Sequence, residues 1–354
     1  MLVTGAFGLV GPAVVHLLAS EGHRVVATDI DTPGNRKKAR RIARSSAAEV
    51  RWADLTDEGA VIRLVHSAQP SAIVHLAAVI PPLCYARRGL ARQVNVGATS
   101  SLVRAGGALP SPPRFVLASS VAVFGARNPR RCPGLLTATT PVDPVELYGA
   151  LKVEAERSVT SSSLEWVILR LGGVLTPAPR WGAGADLLDF EGCLPVDGRL
   201  QTIDVRDVAC AFTRAVTTDA VNEVFLVGGD DSHRILQGEL STAIAGAMGL
   251  AGALPPGRRG DPESVRDWFP TDWMDCERSQ KVLSFQRHSL PAVLAETRAA
   301  VGALRWPLAV VAPISRAYLR SRSTYRRRSG TYADPWGSIR RRWGEPLPDV
   351  PSVT

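Results

Sequence analysis

Cysteine is sparse and scattered in this chain of 354 residues: Cys84, Cys132, Cys193, Cys210 and Cys276 lie far apart, with no C-x-x-C pair. That spacing argues against a disulfide framework or a zinc site and fits a reducing, cytoplasmic compartment. The six histidines are as dispersed, without H-x-x-x-H spacing, so no structural metal is expected. Long hydrophobic runs are missing as well. The longest near the end, Trp306 to Ile314, has nine residues, two of them proline, where a spanning helix needs about 20. The chain opens on an apolar segment without a basic n-region or cleavage site, so no secretory leader is predicted. Lysine is nearly absent, four residues against 38 arginines, a skew that reads as GC-rich coding bias and weakens arginine richness as a nucleic-acid signature.

What remains is an ordinary globular balance, 45% hydrophobic and 21% charged, long enough for one large or two modest domains. The net charge of +9 is unevenly spread. Ten arginines between Ala303 and Thr354, against Asp334, Glu345 and Asp349, account for +7, so the other 302 residues carry only +2.

Short apolar segments alternate with stretches of helical periodicity. MLVTG, RVVATD, VRWADL, SAIVHLAA, PRFVLASS and LEWVILRL read as strands. LVGPAVVHLLASEG, DEGAVIRLVHSAQ, NVGATSSLVRAGGAL and ELYGALKVEAERSV read as helices. The alternation predicts an α/β fold, a Rossmann-type doubly wound parallel sheet covered on both faces. After Gly172 the rhythm changes. GGVLTPAPRWGAG reads as an irregular loop, RLQTIDVRDVACAFTRAV as a strand running into a helix, and NEVFLVGG as a strand. RILQGELSTAIAGAMG reads as a helix, PPGRRGDPES as a loop and SLPAVLAETRAAVGAL as a closing helix. The expected organisation is a dinucleotide-binding domain over 1–174, with 201–227 returning to it. A smaller C-terminal substrate-binding cap takes 175–200 and 228–303, and a basic extension takes 304–354.

TGAFGLVG, Thr4 to Gly11, follows a strand and opens a helix. Gly5 permits a tight turn, Gly8 lets the backbone approach a pyrophosphate at the positive helix end, and Gly11 lets the helix pack on the sheet. The segment Gly5, Phe7, Gly8, Leu9, Val10 and Gly11 is therefore a candidate dinucleotide site. Asp29 ends the second strand, where a carboxylate accepts both adenosine ribose hydroxyls and repels a 2′-phosphate, favouring NAD over NADP. Arg36, Lys37, Lys38, Arg40 and Arg41 follow closely. They read first as a solvated helix face, with phosphate partners, and so NADP, as the alternative.

Tyr148 and Lys152 stand four residues apart in a helical segment and so share a face. A phenol titrates near ~10. An ammonium beside it, with the positive charge of an oxidised nicotinamide, stabilises the phenolate and makes the tyrosine a usable acid or base. The strand FVLASS brings Ser119 and Ser120 as hydroxyl donors.

The set TGAFGLVG, Asp29, Asp54–Leu55, HLAA at His75–Ala78, NVGAT at Asn95–Thr99, SSVAVFG, YGALK and IDVRDVA resembles the extended short-chain dehydrogenase/reductase family, in its NAD-dependent epimerase/dehydratase branch. The motifs run in the family's order from Met1 to Ala209. The resemblance implies a Rossmann fold, bound NAD and a small-molecule substrate bearing a hydroxyl or carbonyl. It makes Tyr148 the general acid/base, Lys152 the partner of the nicotinamide ribose, and Ser120, in preference to Ser119, the ligand of the reacting oxygen. It places Asp54 and Leu55 by the adenine, and Leu76, Ala77 and Ala78 along the middle of the cofactor. Asn95 becomes a support of the active-site helix, and His75 a structural residue. By the same analogy two chains pair as a homodimer.

Three departures stand out. Gly173 replaces the Asn usual in members acting on nucleotide sugars, Leu200 replaces an arginine (with Arg199 one residue off), and Phe124 replaces a tyrosine. The favoured function is thus an NAD(P)-dependent oxidoreductase or epimerase acting at a hydroxyl or carbonyl carbon. Its rivals are a nucleotide-sugar 4-epimerase or dehydratase, and a redox-silent NAD-binding module with a partner-binding tail. The tail itself, Tyr318 to Gly344, interleaves arginine with aromatics. It reads first as a packed or solvated extension, then as a membrane-surface or partner contact, and last as a nucleic-acid binder.

Overall fold

Strands buried on both faces need hydrocarbon at consecutive positions, and the short apolar segments supply it. A computed structural model describes residues 1–179, 185–326 and 329–349, apart from the side chains of Ser45 and Ala185. Residues 180–184 of the expected loop, and Arg327, Arg328 and 350–354 of the extension, lie outside the described residues.

The strands are β1 (Leu2–Thr4), β2 (Val26–Asp29), β3 (Glu49–Trp52), β4 (Ala72–His75), β5 (Arg114–Ser120), β6 (Trp166–Leu171), β7 (Gly173–Leu175), β8 (Arg199–Asp204), β9 (Glu223–Val227) and β10 (Arg234–Leu236). Seven of them form one parallel sheet in the order β3-β2-β1-β4-β5-β6-β9. Val3 pairs with Ala27 on one side and Val74 on the other. The strand order reverses there, which opens a crevice above the carboxyl ends of β1 and β4.

The helices are α1 (Gly11–Ser20), α2 (Pro33–Ser45), α3 (Glu58–Ala68), α4 (Leu83–Ala86), α5 (Arg88–Arg92), α6 (Ala98–Gly107), α7 (Leu147–Thr160), α8 (Ala185–Glu191), α9 (Val205–Thr217), α10 (Gln237–Ala247), α11 (Glu277–Leu283), α12 (Leu290–Val301), α13 (Arg305–Arg322) and α14 (Pro335–Trp343). Side chains alternate across each strand. Val3, Val74 and Val116 therefore meet α1, α2 and α9 through Val14, Leu18, Ile42 and Phe212. Leu2, Ile73 and Leu117 face the other way, onto Val61 and Val65 of α3, Leu102 of α6 and Val159 of α7.

Two expectations after Gly172 need correction. Gly173–Leu175 is not irregular: it pairs in parallel with β8, and β10 joins β8 from the other side, giving a three-stranded sheet. Arg234–Leu236, read as the start of a helix, is that edge strand, and α10 begins only at Gln237. In both cases tertiary pairing with β8 overrides the local pattern.

The basic extension packs against the body. Trp336 and Ile339 of α14 are buried with Tyr85, Leu147, Leu151 and Phe190, and Trp343 closes on the Phe190 ring at 5.7 Å. The Tyr325 hydroxyl donates to the Cys193 carbonyl at 2.7 Å. Arg322 and Arg342 share the buried carboxylate of Asp189. Nothing in the nine-residue apolar run announced α13, which passes through Pro313 and leaves Trp306 79%, Val310 78% and Ile314 71% exposed. Among the described residues no helix is long and apolar enough to cross a membrane.

Candidate active site

The glycine turn lies at the base of the crevice. Gly5 adopts φ +63°, and a Cβ there would sit 2.7 Å from the Ala77 amide nitrogen; one on Gly11 would sit 2.4 Å from the Gly5 carbonyl oxygen. Side chains at either position would force β1, β4 and α1 apart. Gly8 and Leu9 are exposed to the cleft. Val10, which precedes α1, makes no side-chain cap, so the positive helix end is open to an anion. Asp29 accepts from the Phe7 amide at 3.0 Å and from the Ile30 amide at 2.9 Å, leaving further lone pairs facing the cleft. Lys38, expected on a solvated face, instead donates to the Phe7 carbonyl at 2.7 Å and lines the cleft. Leu76, Ala77 and Ala78 run along the wall, and Asp54 and Leu55 flank the far end.

Ser120, Tyr148 and Lys152 line the same cleft as the glycine turn. β5 separates the two serines by its alternation: Ser119 donates to the buried Glu156 carboxylate, whereas the Ser120 hydroxyl faces Tyr148. Lys152 is only 3% exposed. Its ammonium donates to the Ala118 carbonyl at 2.7 Å and lies 5.8 Å from the centroid of the Tyr148 ring. Burial lowers its pKa to about 8, against an upward pull from Glu156.

Without the nicotinamide charge, the protein does not by itself activate the phenol. Burial, then Cys84 and Glu146, push the Tyr148 pKa above its ordinary value, and the opposing contribution comes from Ser120. The ammonium is turned toward Ala118 and Glu156, so the protein by itself keeps this tyrosine protonated.

The sequence reading missed Glu146. This buried carboxylate caps α7, accepting from the amides of Tyr148 at 2.6 Å and Gly149 at 2.5 Å and from the Tyr85 hydroxyl at 3.0 Å. Burial pushes its pKa up to about 7, while the two amides pull it down. It aims the first turn of α7 and with it the Tyr148 ring. The Leu147 amide donates to the carbonyl of Pro346 at 2.7 Å, so the far end of the chain braces that turn too. An acid just before a helix was the available signal for Glu146; Pro346 had none.

Asn95 is not part of the cleft wall. It is buried, accepts from the Val79 amide at 2.8 Å and donates to the Val79 carbonyl at 3.0 Å, holding a wall residue in place. His75 bridges Thr4 at 2.7 Å and Thr99 at 3.0 Å. Burial holds it neutral, lowering its pKa from 6.5 to about 3, with the Lys152 ammonium adding to the push. The unfolded chain therefore binds the extra proton between these values, and stability present above pH 6.5 is lost as pH falls toward 3. Denaturation midpoints measured across that window are expected to fall with pH, and His75→Gln to flatten the slope. A variant with the same slope as the parent would exclude His75 as its source.

The family model for the NAD-dependent epimerase/dehydratase family matches residues 1–185, just over half of the chain. The β subunit of methionine adenosyltransferase 2 from Rattus norvegicus is 31% identical over 172 residues, 48% of this chain and 46% of that protein, so the chain spans about half the length of this relative. The UDP-glucose 4-epimerase of Mycolicibacterium smegmatis is 29% identical over 314 residues, 80% of this chain and 92% of that one. Among solved structures, the UDP-glucuronic acid 4-epimerase of Bacillus cereus, in complex with UDP-glucuronic acid and NAD, superposes with TM-score 0.67 at 19% identity, over 86% of this chain and 99% of that one. With its parallel sheet, its glycine turn and a family match over half its length, this chain belongs to the NAD-dependent epimerase/dehydratase family, the extended branch of the short-chain dehydrogenases/reductases.

Proposed function

We propose that the chain is an NAD-dependent oxidoreductase or epimerase acting at a hydroxyl-bearing or carbonyl carbon, with Tyr148 as general acid/base. The observation that carries the reading is that Ser120, Tyr148 and Lys152 line one cleft with an open-ended glycine turn. The cleft, 1410 Å³ in volume, is roomier than a typical single-ligand pocket of ~300–1,000 Å³. It suits a dinucleotide together with a substrate.

The residues fit that cofactor. Gly8 and the uncapped start of α1 would receive the pyrophosphate, and Asp29 the adenosine ribose. Lys152 would hold the nicotinamide ribose, and Leu76 to Ala78 would line the middle. Bound NAD supplies a hydride acceptor and, when oxidised, a positive charge. Ser120 donates a hydrogen bond to the substrate oxygen. Tyr148 gives its proton to that oxygen in the reducing direction and, as phenolate, takes it back in the oxidising one. A nucleotide-sugar 4-epimerase is the second reading, supported by the relative from M. smegmatis that matches along 80% of the chain.

Titration with NAD and NADP tests the cofactor assignment, and Trp52, whose ring lies 5.3 Å from Phe7 of the glycine turn, is a built-in fluorophore for it. NAD is expected to bind at least about tenfold more tightly than NADP, and Asp29→Ala to narrow that gap, because the carboxylate repels the 2′-phosphate. Equal affinities in the parent would reverse the assignment to Lys38 and its neighbours. No binding of either would remove the enzymatic reading.

A further inference from the structure

We propose that the substrate taken by this site is an apolar secondary alcohol or its ketone, not a nucleotide sugar; the proposal rests on the hydride-transfer reading above. Beyond Tyr148 the described wall of the cleft is mostly hydrocarbon contributed by separate elements, with the hydroxyls of Thr176, Ser241, Thr271, Thr297, Ser315 and Tyr318 set among it. Val174 and Leu175 come from β7, Leu187 from α8, Ile244 from α10, Met248 just after it, and Leu294 from α12. The sole charged side chain among the described residues of that half is the carboxylate of Glu191. Two of the hydroxyls are already donated to helix carbonyls: Ser241 to Gln237 at 3.0 Å, and Thr297 to Val293 at 2.9 Å.

A diphosphate brings two negative charges that need cations or a bank of donors when taken out of water. Three described arginines near the cleft are turned elsewhere. Arg199 donates to the carbonyls of Cys132 at 3.2 Å and Pro133 at 3.1 Å and stacks on Trp273 at 4.7 Å. Its neighbour Leu200 faces the cleft, because adjacent strand residues point to opposite faces. Arg206 is engaged by Asp204 and Glu296, and Arg322 by Asp189. Gly173 adds no polar group, since even a Cβ there would meet Leu200 at 3.2 Å. The described wall thus rewards burial of a hydrocarbon and, among the described residues, offers a diphosphate little compensation.

The step balances with the cofactor already named. The carbinol C–H bond breaks, its hydride passes to the oxidised dinucleotide, and the hydroxyl proton passes to the Tyr148 phenolate, leaving the ketone. Bound NAD would serve as the oxidant in this direction and, in its reduced form, as the hydride source in the other.

The test uses the full chain with NAD and the 2-alkanols from 2-butanol to 2-decanol, followed by NADH absorbance. UDP-glucose and UDP-galactose are run in parallel for binding and interconversion. Each methylene entering the wall should raise kcat/KM about fourfold until the space is filled. Neither UDP-sugar should bind or interconvert. Leu188→Asp, on the exposed rim of the wall, should flatten the dependence on chain length while NAD affinity, the check on folding, stays at the parent value. Turnover of a UDP-sugar overturns the proposal, as does an alkanol series that is inactive or independent of length in protein that binds NAD. Failure to bind NAD at all overturns the hydride-transfer reading instead.

Discussion

Tyr148→Phe is expected to lower kcat by about 10²- to 10⁴-fold, the usual contribution of a positioned acid/base, with NAD affinity unchanged within about twofold. The substitution removes one oxygen and keeps the ring. The apolar wall and the packing of α7 are therefore retained, and α7 stays capped by Glu146, whose partners are the backbone amides of Tyr148 and Gly149. What is lost is the group that gives a proton to the substrate oxygen. Because burial holds the phenol above its ordinary pKa, the acid direction, ketone reduction, is expected to suffer over the whole neutral range. The measurement is steady-state turnover of the best alkanol or its ketone by parent and variant, beside a cofactor titration. A variant that keeps more than about a tenth of parental kcat would take Tyr148 out of the chemistry.

The second large effect is on stability. Glu156 and Arg170 are buried together, with Nη2 donating to Oε2 at 2.7 Å and Nε to Oε1 at 3.0 Å, while Ser119 donates to the same carboxylate. Removing one member of such a pair leaves the other charged and uncompensated in a low-dielectric interior, which costs about 3–5 kcal/mol. Glu156→Gln is expected to cost that much in a denaturant titration. The double variant Glu156→Gln/Arg170→Met should recover a large part of the loss, since it removes both charges. The same carboxylate pulls the Lys152 pKa upward against burial. Without it, Lys152 should titrate below its value of about 8, so the ammonium, and activity with it, should fade at neutral pH. A single variant as stable as its parent would show the pair to be energetically idle.

Composition left the extension open between a packed or solvated segment, a membrane-surface or partner contact and a nucleic-acid binder. Several of its arginines are internal ties: Arg322 and Arg342 to Asp189, and Arg340 to Glu345. Its aromatics are partners of Phe190 and Phe269. An isolated arginine–aromatic pattern has the same appearance whether its partners are phosphates or a distant carboxylate in the same chain.

The strand set of the large sheet, the glycine turn and the i, i+4 placement of Tyr148 and Lys152 were legible from the chain alone. Each depends on covalent spacing and local periodicity, which nearby residues determine. The edge strands β7 and β10 were not, because three residues each carry too weak a pattern to outweigh their loop-like or helix-like surroundings. Nor were the choice of Ser120 over Ser119 as a matter of geometry, the capping of α7 by Glu146, and the brace from Pro346, 199 positions beyond Leu147. The apolar wall is the plainest case. It is assembled from β7, α8, α10 and α12, segments with no local signal in common, while Arg199 is carried to the opposite face of its strand. Only packing decides which faces meet, so the residues proposed to move hydride and proton could be read along the chain, whereas the space proposed to select a substrate existed only once the chain was folded.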